Sequence, residues 1–562
     1  MVYVYSKQSE INKYIGKNLK VEEIETALKD LGLDIKGVSQ DKDPELKIEL
    51  TAEKVDLVST IGIARALKYY LGLEKKVPKY EIKKDNLKLI VDKSAEKSRP
   101  KTVAAIIRDI NITQEVLDEM IKIQEKIHES FGRGRKKGAI GIYPLDKIEF
   151  PITYKSEKPK DIVFRPLESQ IEMNAEEILE KHDTGRKYAH LLSMYEYYPV
   201  FRDNSGKILS MPPIINSHDT GRVETHHKDL FIECSGQNMS LLNTILTIII
   251  TTFIEMGGKA ESMKVEYQST KETYELKLDT YEDEIDITDV NKLIGINITT
   301  KEAEKLLNKM MYGVKEIKGN KIKVEIPCFR FDVWHDVDIA DDIARAYGYN
   351  NIIPRTPNVS SVGETLKISD FKDRITQTMI SLGYLELYTY ILTSTENQFK
   401  NMNLDEKKFK YEKLIDSADE GTNMCRINIL PENLKALLIN RKNKYPQKIF
   451  ENGFTIQVDE KTDTKAKNES HLCVSIADSK SNYTQIKNIL DTIMKLNEIE
   501  FSIKEETYPF LIEGRSASIF VKGERVGFIG ELHPQIIKNF GLLVPVSSFE
   551  INIEKIYELN NK

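Results

Sequence analysis

Four aspartates of the stretch FDVWHDVDIADDIARAYGYN, Asp332, Asp338, Asp341 and Asp342, fall within eleven positions. Asp338, Asp341 and Asp342 stand at i, i+3 and i+4, a spacing that places them on one face of a helix. Left together they repel one another, so one reading is a hard divalent cation, Mg²⁺ or Ca²⁺, held by oxygen ligands. The other is that aspartates gather at a helix N-terminus, where they cap free N–H groups and meet the positive end of the dipole.

A second candidate site lies in LSMPPIINSHDTGRVETHHKDLFIEC, where two prolines precede a polar turn. Ser210, Asn216 and Glu233 there could line a pocket with hydrogen-bonding groups, or the segment is a surface turn beside a strand. The adjacent His226 and His227 point to opposite faces if the segment is a strand, which disfavours a shared metal. A third stretch, FGRGRKKGAIGIYPLDKI, opens with Arg133, Arg135, Lys136 and Lys137 and runs into a strand. It is either a phosphate-facing basic lip or a solvated turn. It holds no GxxxxGK[ST], so its glycines do not make a nucleotide-binding loop.

These residues need several frameworks to position them, since 562 residues exceed what one core usually serves. The 40% apolar and 30% charged composition is that of a folded globular chain. A net charge of -6 excludes a protein that coats nucleic acid through an overall positive field. The four cysteines are scattered singly, with no CxxC, and are expected to be reduced thiols. The N-terminal residues lack a secretory leader, so a cytoplasmic location is expected. The most apolar run, Leu241 to Met256, is shorter than the roughly 20 residues of a membrane span and carries threonines, Asn243 and Glu255, so it reads as a buried helix and no membrane is expected.

The pattern predicts an α+β multidomain chain in four parts: an α/β module over 1–90, a strand-rich module over 95–265, a small α+β module over 272–352, and a larger domain of strands and helices over 358–562. Two short helices are expected within 8–33, a strand, a loop and a helix with Ile63, Ala66, Leu67 and Tyr70 on one face within 47–73, and helices over 115–128 and 301–311, while Lys321 to Pro327 (KIKVEIP) alternates as a strand. PRTPNVSSVG, residues 354–363, has linker composition.

Ordered segments along the whole chain resemble the β subunit of phenylalanyl-tRNA synthetase in its archaeal and eukaryotic cytosolic form. TAEKVDLVSTIGIARAL (51–67) is similar to the family's NRPDLLSxxGLARAL, with Glu53 and Lys54 where Asn and Arg are usual. IQEKIH, AIGIYPLDKI, YPVFRDNSGKILSMPPIINS and DLFIECSG resemble its editing module, SLGYLELYTYILTS and GRSASIFVKGERVGFIGELHPQII its last domain. SMPPIIN, HLCVSIAD and VSSFEINI lean towards the eukaryotic type.

The resemblance implies that 95–265 hydrolyses tyrosine wrongly attached to the phenylalanine tRNA, with Ser210, Asn216 and Glu233 in its pocket. It implies that 272–352 is a winged, DNA-binding-like module whose Asp332, Asp338, Asp341 and Asp342 hold Mg²⁺, with Asp341 standing where Glu is common. It implies that 358–562 is a class II synthetase catalytic-like antiparallel sheet with helices. No Arg-x-Glu and no late glycine-rich arginine motif occurs there, so this domain is expected not to bind ATP. ATP and Phe then belong to an α subunit, the assembly is an (αβ)₂ heterotetramer, and tRNA(Phe) is the shared substrate. The alternative is a freestanding tRNA-binding or editing factor without an α partner.

Overall fold

The computed structural model describes residues 2–51, 54–417 and 421–561, and the chain forms two compact units, Met1–Thr356 and Pro357–Lys562. The division falls inside the linker-like segment 354–363. Glu53 lies outside the described residues.

In the first unit, Val2–Lys7, Glu45–Leu50 and Asp34–Val38 make a small sheet against the helices Gln8–Ile15, Val21–Asp30 and Thr60–Tyr70. Strand Ile82–Val91, expected with this N-terminal module, instead pairs in parallel with Lys259–Tyr267 and Ile152–Glu157. It belongs to a ten-stranded sheet that runs Ile215–Asn216, Ile208–Met211, Tyr198–Arg202, Ile152–Glu157, Ile82–Val91, Lys259–Tyr267, Lys101–Arg108, Leu230–Gly236, Gly138–Pro144, with Thr273–Tyr274 paired to Lys259–Tyr267. The boundary at residue 90 therefore cuts a strand whose hydrogen-bond partners all lie further along the chain.

Two helices brace this sheet. Gln114–Glu129 starts where the Thr113 side chain accepts from the Val116 N–H, and buries Val116, Met120, Ile123 and Ile127, the stripe that a 3.6-residue period brings to one side. Met239–Glu255 is buried over most of its surface, as its apolar run predicts. Two of its buried hydroxyls are satisfied locally: Thr251 Oγ1 donates to the Thr247 carbonyl at 2.8 Å and Thr252 Oγ1 to that of Ile248 at 2.7 Å. No helix among the described residues is long and apolar enough to cross a membrane.

The third part of this unit is an antiparallel sheet of Tyr281–Asp286, Lys321–Ile326 and Gly313–Lys318 with helices Ile287–Ile294, Thr300–Lys309 and Asp336–Tyr347. One apolar core runs from Ile11 and Leu28 through Ile245 to Leu307 and Ile343, so the three parts expected as separate modules share buried surface.

The second unit is built on seven strands in the order Leu385–Glu386, Gln447–Val458, Ala466–Ala477, Val546–Asn552, Glu524–Leu532, Leu511–Val521, Phe501–Glu505, antiparallel except at the short first pair. Alternation sends Leu472, Val474 and Ile476 to a core covered by helices Lys367–Ser381, Tyr483–Leu496 and Ile553–Asn560. Cys473 and Ala477 point to the opposite core, under Leu430–Ile439 and Pro534–Asn539.

Candidate functional site

Ser210, Asn216 and Glu233 line one cavity of about 310 Å³ in the first unit. Strand register explains how residues so far apart meet. Ser210 and Asn216 face each other across a tight antiparallel pair, and Glu233 sits on Leu230–Gly236 opposite Gly141. Gly141 is what leaves room for the carboxylate, because a Cβ there would lie 2.4 Å from Glu233 Oε1 and 2.2 Å from the Tyr143 hydroxyl.

Tyr143 links the other two groups. Its hydroxyl lies 2.7 Å from Ser210 Oγ and 3.2 Å from Glu233 Oε1, and with a single proton it donates to one of them at a time. Glu233 Oε2 has no hydrogen-bond partner although the side chain is buried. Burial pushes this carboxyl up to about 8, against the opposing pull of the Tyr143 hydroxyl and the Arg99 guanidinium. At neutral pH it is therefore a neutral acid, able to donate a hydrogen bond into the cavity.

Two further wall residues, His128 and Arg135, were not assigned to this pocket from the sequence. His128 ends the IQEKIH segment; its Nε2 accepts from the Ile140 N–H at 2.9 Å, which puts the proton of a neutral ring on Nδ1. Burial, with Arg135 and Arg99 nearby, holds its pKa well below the usual value, so the ring is neutral. Arg135, read as part of either a basic lip or a solvated turn, points inward: it donates to the Ile214 carbonyl at 2.7 Å and stacks on Tyr188 at 4.3 Å. Only Gly138–Pro144 being an edge strand allows the Gln114–Glu129 helix to reach its backbone, and no local sequence signal marks that. His226 and His227 are not in a strand; they lie in a turn, with ring centroids 3.9 Å apart.

The aspartate cluster is arranged differently from a four-ligand metal site. Asp342 is fully buried and paired to Arg330, to Lys54 Nζ at 3.0 Å and to the Tyr312 hydroxyl at 2.7 Å. Asp332 takes Arg330 Nε at 2.8 Å and Lys54 Nζ at 3.0 Å. Two carboxylates thus meet two cations, and the pair needs no further charge. Burial opposes ionisation of Asp332 and Asp342, but Arg330 and Lys54 outweigh it and both carboxyls titrate below the usual range.

Asp338 is spent at the helix start, accepting from the backbone N–H groups of Trp334 at 2.7 Å and His335 at 2.9 Å, which is the capping reading of the sequence. Asp341 pairs with Arg345 at 2.8 Å and with the Tyr349 hydroxyl at 2.6 Å. Among the described residues no group of three or more His, Cys, Asp or Glu converges as metal ligands. A Mg²⁺ ion at this place would have to displace Lys54 and Arg330, so the four aspartates do not fit the ion as one donor set. The i, i+3, i+4 spacing identified the helix; the partners were set by Lys54, at the site where the resemblance departs, and by Arg330.

In the second unit, paired ions fill the polar positions beneath the sheet. Arg426 and Glu451 are buried against each other at 2.8 Å. Glu550 accepts from the N–H groups of Ile429 and Leu430 at the start of Leu430–Ile439 and lies 2.9 Å from His471 Nδ1. Burial disfavours the charged ring, yet Glu469 and Glu550 prevail and raise His471 to about 9. A raised histidine contributes stability that is complete below its unfolded value of ~6.5 and is lost as pH rises through about 9. Hydrogen exchange along Ala466–Ala477 is therefore expected to accelerate between pH 6.5 and 9 beyond its intrinsic base catalysis, and His471→Asn removes that excess.

Two family descriptions match this architecture: "tRNA synthetase B5 domain" over residues 284–349, and "Phenylalanyl tRNA synthetase beta chain CLM domain" over 352–553. The mixed α+β fold is thus that of an aminoacyl-tRNA synthetase component. The chain is 38% identical to the phenylalanine-tRNA ligase beta subunit of Pyrococcus horikoshii over 98% of both chains, and 33% identical to that of Archaeoglobus fulgidus over 94% of both. A crystal structure of an N-terminal fragment of the P. horikoshii subunit superposes with a TM-score of 0.59 at 38% identity, covering 61% of this chain and 99% of the fragment. The chain belongs to the phenylalanine-tRNA ligase β-subunit family. These relatives are archaeal and give no support to the eukaryotic lean of SMPPIIN, HLCVSIAD and VSSFEINI.

Proposed function

We propose that this chain, with a separate α subunit, attaches phenylalanine to tRNA(Phe) at the expense of ATP, and that its Glu233 cavity removes tyrosine attached in error. The observation behind the first statement is similarity to named β subunits along 98% of the chain. That same extent disfavours a freestanding factor, which has no need of the second unit. ATP and Phe are assigned to the α subunit, the assembly to (αβ)₂, and the location to the cytoplasm.

The second statement rests on the unpartnered Oε2 of Glu233 in a cavity that Ser210, Asn216 and His128 also line, with the Tyr143 hydroxyl 3.2 Å from its Oε1. Excluding a larger isostere is hard, and a synthesis site for phenylalanine gains little discrimination against one added hydroxyl. A second site can select for that hydroxyl instead. A buried neutral carboxyl pairs with a phenol, whereas a phenyl ring leaves it unsatisfied. The ester is then hydrolysed by water; the tyrosine carboxyl and the tRNA ribose hydroxyl are the products.

Aminoacylation with Phe, ATP and tRNA(Phe), run with this chain alone and with a coexpressed α subunit, tests the ligase assignment. Activity is expected only in the pair. Failure of the two chains to associate, with tRNA deacylation by the single chain retained, would establish the freestanding factor instead.

A further inference from the structure

A groove of about 900 Å³ lies in the first unit beside the loop that walls the Glu233 cavity. Lys136 and Lys137 of that loop line the groove, while Arg135, one residue earlier, lines the cavity. Both lysines are exposed and have no ion-pair partner among the described residues. The groove is also lined by Trp334, the only tryptophan of the chain, 79% exposed and oriented by a 2.7 Å hydrogen bond from its Nε1 to the Phe331 carbonyl. Asp332 and Asp338 also border the groove, but one is neutralised by Arg330 and Lys54 and the other caps a helix. The positive charge of the groove is that of the two lysines, and Asp338 leaves one negative charge on the wall, held by two backbone N–H groups.

An exposed aromatic face and two unpaired ammonium groups in one groove suit single-stranded nucleic acid: every base has a face to stack, and every phosphate takes a lysine. We propose that this groove receives the terminal unpaired nucleotides of the tRNA, with Trp334 stacking on a base and Lys136 and Lys137 holding phosphates, and so delivers the aminoacyl end towards Glu233. The inference rests on the hydrolytic reading above and gives that site its RNA-binding half.

The test uses the αβ complex and tRNA(Phe) with 2-aminopurine in its 3′ single strand and tyrosine joined through a non-hydrolysable amide. Binding is expected to quench 2-aminopurine emission; Trp334→Ala abolishes the quench and weakens binding in this mode about 10-fold, while Trp334→Phe retains most of both. Joint substitution Lys136→Glu and Lys137→Glu weakens binding and flattens its salt dependence. An unchanged quench in Trp334→Ala overturns the proposal. So does protection of 331–337 from hydrogen exchange by the α subunit but not by tRNA, which would make the groove a protein interface. Hydrolysis of Tyr-tRNA by Glu233→Ala is read separately: its retention sinks the hydrolytic reading, whereas its loss with an unchanged quench in Trp334→Ala sinks only the groove.

Discussion

Glu233→Ala is expected to lower hydrolysis of Tyr-tRNA(Phe) by the αβ complex about 100-fold, and Glu233→Gln by no more than about 3-fold. The contrast follows from protonation. A carboxyl raised to about 8 is neutral at pH 7, and a glutamine amide replaces it as a donor of similar shape. Alanine removes the donor and leaves Tyr143 with Ser210 as its only partner of the two. The pH profile separates a neutral acid from an ionised base. The wild-type rate, corrected for spontaneous ester hydrolysis, falls as pH rises through about 8, and in Glu233→Gln that fall is gone. A rate that climbs through pH 8 and collapses in the glutamine variant would assign Glu233 as a base. Phe-tRNA synthesis serves as the folding control, and Gly141→Ala, which drives a Cβ against both Tyr143 and Glu233, is expected to resemble Glu233→Ala.

The sequence was most legible where function depends on periodicity. The helical pattern over 115–128 and the apolar run over 241–256 located the Gln114–Glu129 and Met239–Glu255 helices to within about two residues, and the division near Thr356 falls in the Pro-Ser-Gly stretch. Polar residue types near a proline-rich turn were enough to select Ser210, Asn216 and Glu233, which do share a cavity. Tyr143 and His128 were quoted within recognisable segments yet assigned no role, because their contribution depends on which strand is the edge of a ten-stranded sheet. The N-terminal boundary failed for the same reason. Whether Ile82–Val91 joins the small sheet or the large one is decided by partners far along the chain, Ile152–Glu157 and, some 180 residues later, Lys259–Tyr267, and no local pattern encodes them.

The aspartates show the limit most clearly, and they carry the second large effect. Lys54 is 278 positions from Asp332 in sequence and 3.0 Å from it in the fold. Arg330→Met is expected to destabilise the first unit by about 3–5 kcal/mol, since it leaves Asp332 and Asp342 buried with Lys54 as their sole cation. Lys54→Met costs less, because the fully buried Arg330 still contacts both carboxylates. Replacing Arg330 together with Asp342→Asn recovers part of the loss, as expected for two members of one network. Denaturant unfolding monitored at Trp334 measures all three. The carboxyls titrate below their ordinary values, so their contribution is complete above ~4 and is lost as pH falls further, through the lowered folded-state values. EDTA or millimolar Mg²⁺ is expected to leave the midpoint of the isolated chain unchanged. A midpoint that falls on chelation, together with a metal stoichiometry of one that is lost in Asp332→Asn, would show that a cation rather than Lys54 and Arg330 balances the cluster.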